Sequence, residues 1–275
     1  MFRKAIRLLT GSALGLSALT VPALADHPRA WQMDFQEPVT PVMQEIARFH
    51  TEVLYIITVI TLFVLVLLLW IMVRYNKRAN PVPSQVSHNT LLEVAWTIIP
   101  VFILIAIAIP SFKLLYFEAT IPHPDLTIRA IGKQWYWSYQ YPDSGSFQFD
   151  SLGLTDDAAD KAHEPHLLGV DNVVVVPVNK VVKVQTAGAD VIHSWAVPSF
   201  GVKMDAVPGR LNETWFKVTK EGTYYGQCSE LCGARHAYMP IEVKVVSQAA
   251  FDAWLAQAKK KYASIGDNRV AALGQ

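Results

Sequence analysis

The chain is poor in cysteine, with two among 275 residues, too few for a disulfide-built scaffold. Neither lies in a Cys-x-x-Cys-His run, so no c-type haem is attached to this polypeptide. There is no Cys-x-x-Cys pair, the usual half of a structural zinc site. Charge is sparse at 17% and nearly balanced at net +1, which gives no basis for a nucleic-acid-binding surface. No internal repeat is evident. Apolar residues, by contrast, make up 52% of the chain. That is too apolar for an ordinary soluble protein, and the chain is too long for a bare anchor. One water-soluble domain joined to a membrane part is the expectation.

The first 25 residues read as a secretory signal. Arg3, Lys4 and Arg7 form a basic start, Leu8 to Ala23 is apolar and small, and Ala23-Leu24-Ala25 offers a cleavage site before Asp26. Residues 26–119 read as a lead-in and a helical hairpin. The lead-in, to about residue 45, is polar and broken by Pro28, Pro38 and Pro41. Two runs without charge follow, Val53 to Val73 and Val94 to Phe112, giving membrane spans at about 50–74 and 92–114. At 1.5 Å per residue the first run covers about 31 Å, a full hydrocarbon core. Pro100 and Pro110 inside the second are tolerated where neighbouring groups re-satisfy the backbone. Arg74, Lys77 and Arg78 place the intervening loop on the cytoplasmic side. Both ends of the mature chain then lie outside, which agrees with the signal.

From about Thr120 the pattern changes. Leu126 to Ile131 alternates, Val173 to Val178 and Val181 to Thr186 are β-branched, and Thr214 to Val218 and Ile241 to Val246 are strand-like. Short strands between turn residues predict a β-sandwich over 120–248. Thr155 to Leu168 reads as a polar surface excursion. Residues 249–275 read as a terminal helix, with Phe251, Trp254 and Leu255 on one side, and a flexible tail from Gly266.

One stretch concentrates the chemistry. Residues 228–239 read Cys-Ser-Glu-Leu-Cys-Gly-Ala-Arg-His-Ala-Tyr-Met and hold both cysteines, a histidine and a methionine; His193 lies 35 residues upstream. Thiolate, thioether and imidazole form the donor set that copper selects. Two thiolates four residues apart can bridge two metal ions. His193 and His236 would supply nitrogens, Met239 one weak ligand, and the Glu230 carbonyl the other. On the residues alone, a Cys228–Cys232 disulfide and a four-coordinate zinc site remain open.

The run Cys228 to Met239, followed by Pro240, closely resembles the binuclear copper (CuA) motif of subunit II of haem-copper cytochrome c oxidases, here of the bacterial aa3 type. The resemblance implies a two-helix transmembrane hairpin followed by an all-β Greek-key cupredoxin sandwich. It implies two copper ions, held by His193, Cys228, Glu230, Cys232, His236 and Met239. By the same resemblance the Glu230 carboxylate ligates Mg2+ or Mn2+ at the boundary with subunit I. In Gly132 to Tyr141, Trp135 matches the tryptophan through which the electron enters, while Tyr136 and Trp137 pack between copper and membrane. Glu93, three residues before Trp96, matches the mouth of a proton pathway in subunit I. Asp150, Asp171 and Asp190 fall where the family has carboxylates that dock the donor. The segment from Glu118 to Val245 carries 15 acidic and 11 basic residues, an acidic balance that would steer a basic partner.

The expected partners are therefore cytochrome c, the haem-bearing subunit I, and subunit III, in a bacterial inner membrane with the copper domain on the periplasmic side. A quinol oxidase subunit II would lack the copper ligands, and the copper domain of nitrous oxide reductase is not expected behind two spans. A membrane-tethered copper carrier or sensor would need neither Trp135 nor Glu93.

Overall fold

The computed structural model describes residues 24–272, with side-chain surroundings from Asp26 to Tyr262. The expected signal segment lies outside the described residues except for Leu24 and Ala25. These two join Asp26 in a short strand, β1 (Leu24–Asp26).

Two long helices come first, α1 (Pro41–Arg74) and α2 (Thr90–Ala119). Both are long and apolar enough to cross a membrane, and their apolar windows are unburied within the chain. Each is longer than its uncharged run. Helix α1 starts inside the proline-broken lead-in because Thr40 accepts a hydrogen bond from the Met43 amide and Pro41 takes the first turn, where its missing N–H costs nothing. Asn89 caps α2 in the same way, accepting from Leu91 and Leu92. The Asn89 amide in turn donates to the Glu93 carboxylate.

The rest is a two-sheet sandwich. One sheet orders β4 (Gln148–Ser151), β3 (Tyr136–Gln140), β2 (Leu126–Lys133), β6 (Val182–Gly188) and β9 (Asn212–Phe216). The other orders β5 (Val174–Pro177), β11 (Pro240–Val246), β10 (Gly222–Cys228), β7 (His193–Val197) and β8 (Val202–Ala206), with β1 beside β10. The chain passes repeatedly between sheets, so residues distant in sequence meet at one end. Alternation sets the inner face: Ile128 and Ala130 of β2 and Val182 and Val184 of β6 are fully buried. Trp137, Tyr139, Tyr141, Trp195 and Phe216 fill the space between sheets. Burying each such ring contributes about 2–3 kcal/mol. Trp195 donates to the Tyr139 hydroxyl and Tyr141 donates to the Val175 carbonyl, while the buried Trp137 Nε1 has no hydrogen-bond partner among the described residues. Gly226 permits the closest approach, since a Cβ there would stand 1.9 Å from the Ala196 carbonyl oxygen.

The excursion at 155–168 contains a short helix, α3 (Asp156–Ala162). The terminal helix α4 (Gln248–Ala272) runs past Gly266, where a flexible tail was expected. A single glycine costs a helix about 1 kcal/mol, which need not end a helix already docked at its start. Its first half covers an aromatic cluster, with Trp254 and Tyr262 against Tyr141, Phe147 and Phe149.

Candidate metal centre

The β7–β10 register builds the site. Cys228, the last residue of β10, pairs with Trp195, and the ladder is extended by the Ser229 amide donating to the Ser194 carbonyl at 3.0 Å. His193, the first residue of β7, is thereby carried to the thiol, its Nδ1 3.9 Å from Cys228 Sγ. The loop after Cys228 returns to β11, closed by the Cys228 amide donating to the Met239 carbonyl at 3.2 Å. Within it, a 3-10 turn at His236–Tyr238 turns the His236 ring back, Nδ1 3.5 Å from Cys232 Sγ.

The two thiols are free, buried and 3.9 Å apart, nearly twice the length of a disulfide bond. Met239, 1% exposed, brings its thioether to 3.5 Å from Cys232 Sγ, and the Glu230 carbonyl oxygen is 3.4 Å from Cys228 Sγ. Nitrogen and sulfur atoms of His193, Cys228 and Cys232 lie within 4.8 Å of one another. All six residues singled out from the sequence thus meet at one end of the sandwich. The donors fit copper: two soft thiols in mutual reach, each flanked by an imidazole nitrogen, with a thioether and a carbonyl as weak ligands. Four-coordinate zinc would use the thiols and imidazoles and give the buried thioether nothing to do.

The charges suit such a centre. Burial pushes the Cys228 thiol up, but hydrogen bonding to His193 and to the Glu230 and Ser194 backbone outweighs this and brings it below the ordinary thiol range. Burial and the neighbouring Cys228 thiolate push Cys232 the other way. The pair therefore gives up its first proton readily and its second only against a strong opposing charge, as a cation would supply.

Asp190 is tied into the site itself. Its Oδ1 accepts from His193 Nε2 at 2.8 Å and from the Val191 amide, and its Oδ2 accepts from the Gln134 amide at 2.7 Å. Burial works to raise the Asp190 carboxyl, and these hydrogen bonds more than reverse it. A carboxylate on Nε2 leaves Nδ1 to face the thiols, as in carboxylate–histidine–metal arrangements. Asp150 accepts from Ser138 Oγ and lies 4.0 Å from Lys133 Nζ, while Asp171 accepts from the Leu152 amide at 2.7 Å. Both sit on the opposite sheet edge around β4.

Trp135 stands half-buried beside the ligand loop, its Nε1 donating to the Cys232 carbonyl at 3.2 Å. Gln134 Nε2 donates to the same oxygen at 2.8 Å. Trp137 is buried edge-on to His193, ring centres 6.0 Å apart. The Glu230 carboxylate is half-exposed, 3.9 Å from Lys203 Nζ. Glu93 is remote from all of this, at the far end of α2.

Two glycines shape the centre unnoticed in the sequence. A Cβ on Gly132 would come within 2.7 Å of the His193 ring, and one on Gly233, at φ +119°, within 3.1 Å of the Trp135 ring. Both lie inside motifs already singled out, but only the pairing of strands reveals which ring each glycine admits.

Comparison with known proteins follows the same division. Residues 126–246 match the family model of the cytochrome c oxidase subunit II periplasmic domain, and residues 28–114 that of its transmembrane domain. Cytochrome c oxidase subunit 2 of Cereibacter sphaeroides is 44% identical over 277 aligned positions, covering 91% of each chain. That of Triticum aestivum is 45% identical over 249, covering 88% of this chain and 95% of its own. The solved periplasmic domain of subunit II of the Bradyrhizobium japonicum oxidase is 62% identical, covering 52% of this chain and 99% of its own, with a TM-score of 0.49. By its match to both family models and its identity to the two full-length relatives, the chain belongs to the cytochrome c oxidase subunit II family.

Proposed function

We propose that this chain accepts electrons singly from reduced cytochrome c at a binuclear copper centre and passes them to haem in subunit I. As a family member it is a subunit of an oxidoreductase complex, membrane-anchored with a periplasmic domain. The observation that carries the proposal is the pair of free buried thiols 3.9 Å apart, each beside a histidine nitrogen.

His193, Cys228, Glu230 through its carbonyl, Cys232, His236 and Met239 would hold the metals. Two copper ions bound there would supply a one-electron store whose charge is spread over two metals and two sulfurs. The chain's own part is to hold these donors still. Asp190 fixes the His193 tautomer, and the β7–β10 ladder and the Cys228–Met239 hydrogen bond clamp both ends of the loop. A site that does not rearrange transfers charge with little reorganisation.

Trp135 would receive the electron, and its hydrogen bond to the Cys232 carbonyl links the indole to a ligand through one short contact. Asp150 and Asp171, with the acidic domain around them, would steer a basic donor. For Asp190 the same docking role would be secondary to its tie to His193. The Glu230 carboxylate would share Mg2+ or Mn2+ with subunit I, giving up its contact with Lys203. Glu93, on the cytoplasmic side, would feed protons toward subunit I. A cleaved signal and contact with subunit III complete the proposal, in a bacterial inner membrane.

The test is copper content and electron paramagnetic resonance of the purified complex. Two coppers per chain at this centre and a seven-line spectrum, from one spin shared by two copper nuclei, are expected. Cys232→Ser should abolish that pattern. One copper per chain, a four-line spectrum or a Cys228–Cys232 disulfide in the metallated protein would overturn the proposal.

A further inference from the structure

A second site lies away from the metal centre, between the two helices at their β-domain ends. A cavity of about 400 Å3 opens there, lined by Glu45, Arg48, Phe49 and Glu52 of α1 and Lys113 and Phe117 of α2, among others. That volume lies within the range of small-ligand pockets. Glu52 immediately precedes the uncharged run of α1, and Lys113 immediately follows that of α2. Between them the two residues mark where the hydrocarbon core ends. Helix α1 is about 51 Å long at 1.5 Å per residue, so about 20 Å of it projects beyond a 30 Å core. The cavity thus sits at the depth of the lipid headgroups.

Its charges are arranged rather than scattered. Arg48 is held by both neighbouring carboxylates, 3.8 Å from Glu45 and 3.2 Å from Glu52. The α1 wall is therefore net negative. Lys113, on the facing wall, has no ion pair or hydrogen bond among the described residues. A lone cation opposite a net anion, above an apolar floor, matches a head that carries both signs. An anionic head would satisfy Lys113 but meet two carboxylates.

We propose that this cavity binds the headgroup of a zwitterionic phospholipid, its phosphate on Lys113 and its ammonium on Glu45 and Glu52. The acyl chains run down the groove between α1 and α2. The site depends on the membrane placement of the hairpin and not on the electron-transfer reading.

The complex, purified and placed in nanodiscs, is labelled with phosphatidylethanolamine bearing a photoreactive acyl chain near the glycerol. A phosphatidylglycerol probe of the same design serves for comparison. The ethanolamine probe should label peptides containing residues 45–52 and 109–117 in preference to the rest of the hairpin, and more than the glycerol probe does. Lys113→Gln should lower that labelling about fivefold, the effect of one basic residue at a membrane surface, while Lys113→Arg retains it. Equal labelling by both probes, labelling indifferent to Lys113→Gln, or label on partner-subunit peptides in place of these would overturn the proposal.

Discussion

Replacing Glu242 with glutamine should stabilise the β-domain at neutral pH and remove part of its pH dependence. Glu242 lies in β11, 4% exposed, and accepts one hydrogen bond, from the Val170 amide at 3.0 Å. Burial pushes its carboxyl from the ordinary 4.5 to about 7; the Val170 amide and Lys244 oppose this incompletely, and Glu164 adds to it. The unfolded chain releases the same proton near the ordinary value. Between these values the folded state binds more protons than the unfolded one. Glu242 therefore contributes stability fully below about pH 4.5 and loses it as the pH rises through about 7. A gap of roughly 2.5 units at 1.36 kcal/mol each is about 3 kcal/mol. Glutamine keeps an acceptor for Val170 and never ionises. The assay is urea unfolding of the metal-free fragment 120–275 at pH 5 and pH 8, wild type against Glu242→Gln. The thiols and His193 titrate in both proteins and cancel in the difference. At pH 5 the two should agree within about 1 kcal/mol, and at pH 8 the variant should be more stable by about 3 kcal/mol. Equal stability at pH 8, or a larger gap at pH 5, would refute the reasoning.

Two further outcomes concern the centre. Gly132→Ala places a methyl 2.7 Å from the His193 ring, so the copper spectrum and metal content should change although residue 132 offers no ligand; an unaltered spectrum would mean that the ring has room. Trp135→Phe replaces the indole by a smaller aromatic ring and loses the hydrogen bond to the Cys232 carbonyl, worth about 1 kcal/mol. It should slow reduction by cytochrome c while leaving the copper spectrum intact, and an unchanged rate would remove Trp135 from the electron path.

The hairpin, the sandwich and the clustering of five of the six candidate donors are legible in the sequence because each rests on local pattern. Two uncharged runs have membrane length, Leu126, Ile128 and Ala130 alternate, and five of the donors fall within twelve residues. The start of α1 was also written there, in Thr40-Pro41, but it was hidden by prolines that read as a break. The turn of Asp190 toward His193 is not local. It depends on a bend held by the Ala189 amide on the Gly132 carbonyl and by the Gln134 amide on Asp190 itself, both contacts to a segment more than fifty residues earlier. Its carboxylate reads as a surface charge until those strands are paired. Gly132 and Gly233 are silent for the same reason, since what each makes room for is contributed by a distant segment.

The membrane part and the metal centre share one mechanical frame. Where α1 begins, Thr40 Oγ1 donates to the Phe200 carbonyl at 2.7 Å, and the Val39 amide donates to the Ser199 carbonyl at 3.2 Å. Gly201, at φ +70°, lies so close that a Cβ would stand 3.0 Å from the Met43 Cα. Where α2 ends, Trp215 Nε1 donates to the Glu118 carbonyl at 3.1 Å and its ring meets Phe117 edge-on. The first of these attachments follows directly on β7, whose first residue is His193. One five-residue strand of about 17 Å thus joins a proposed copper ligand to the root of the first membrane helix. Both hairpin ends are fastened to the sandwich by buried or half-buried contacts, so the distance from the candidate ligands to the roots of the helices is set by strand length. The proposed electron transfer to a partner within the membrane would require such a fixed separation, and the β7 ladder that carries His193 to Cys228 would also maintain it.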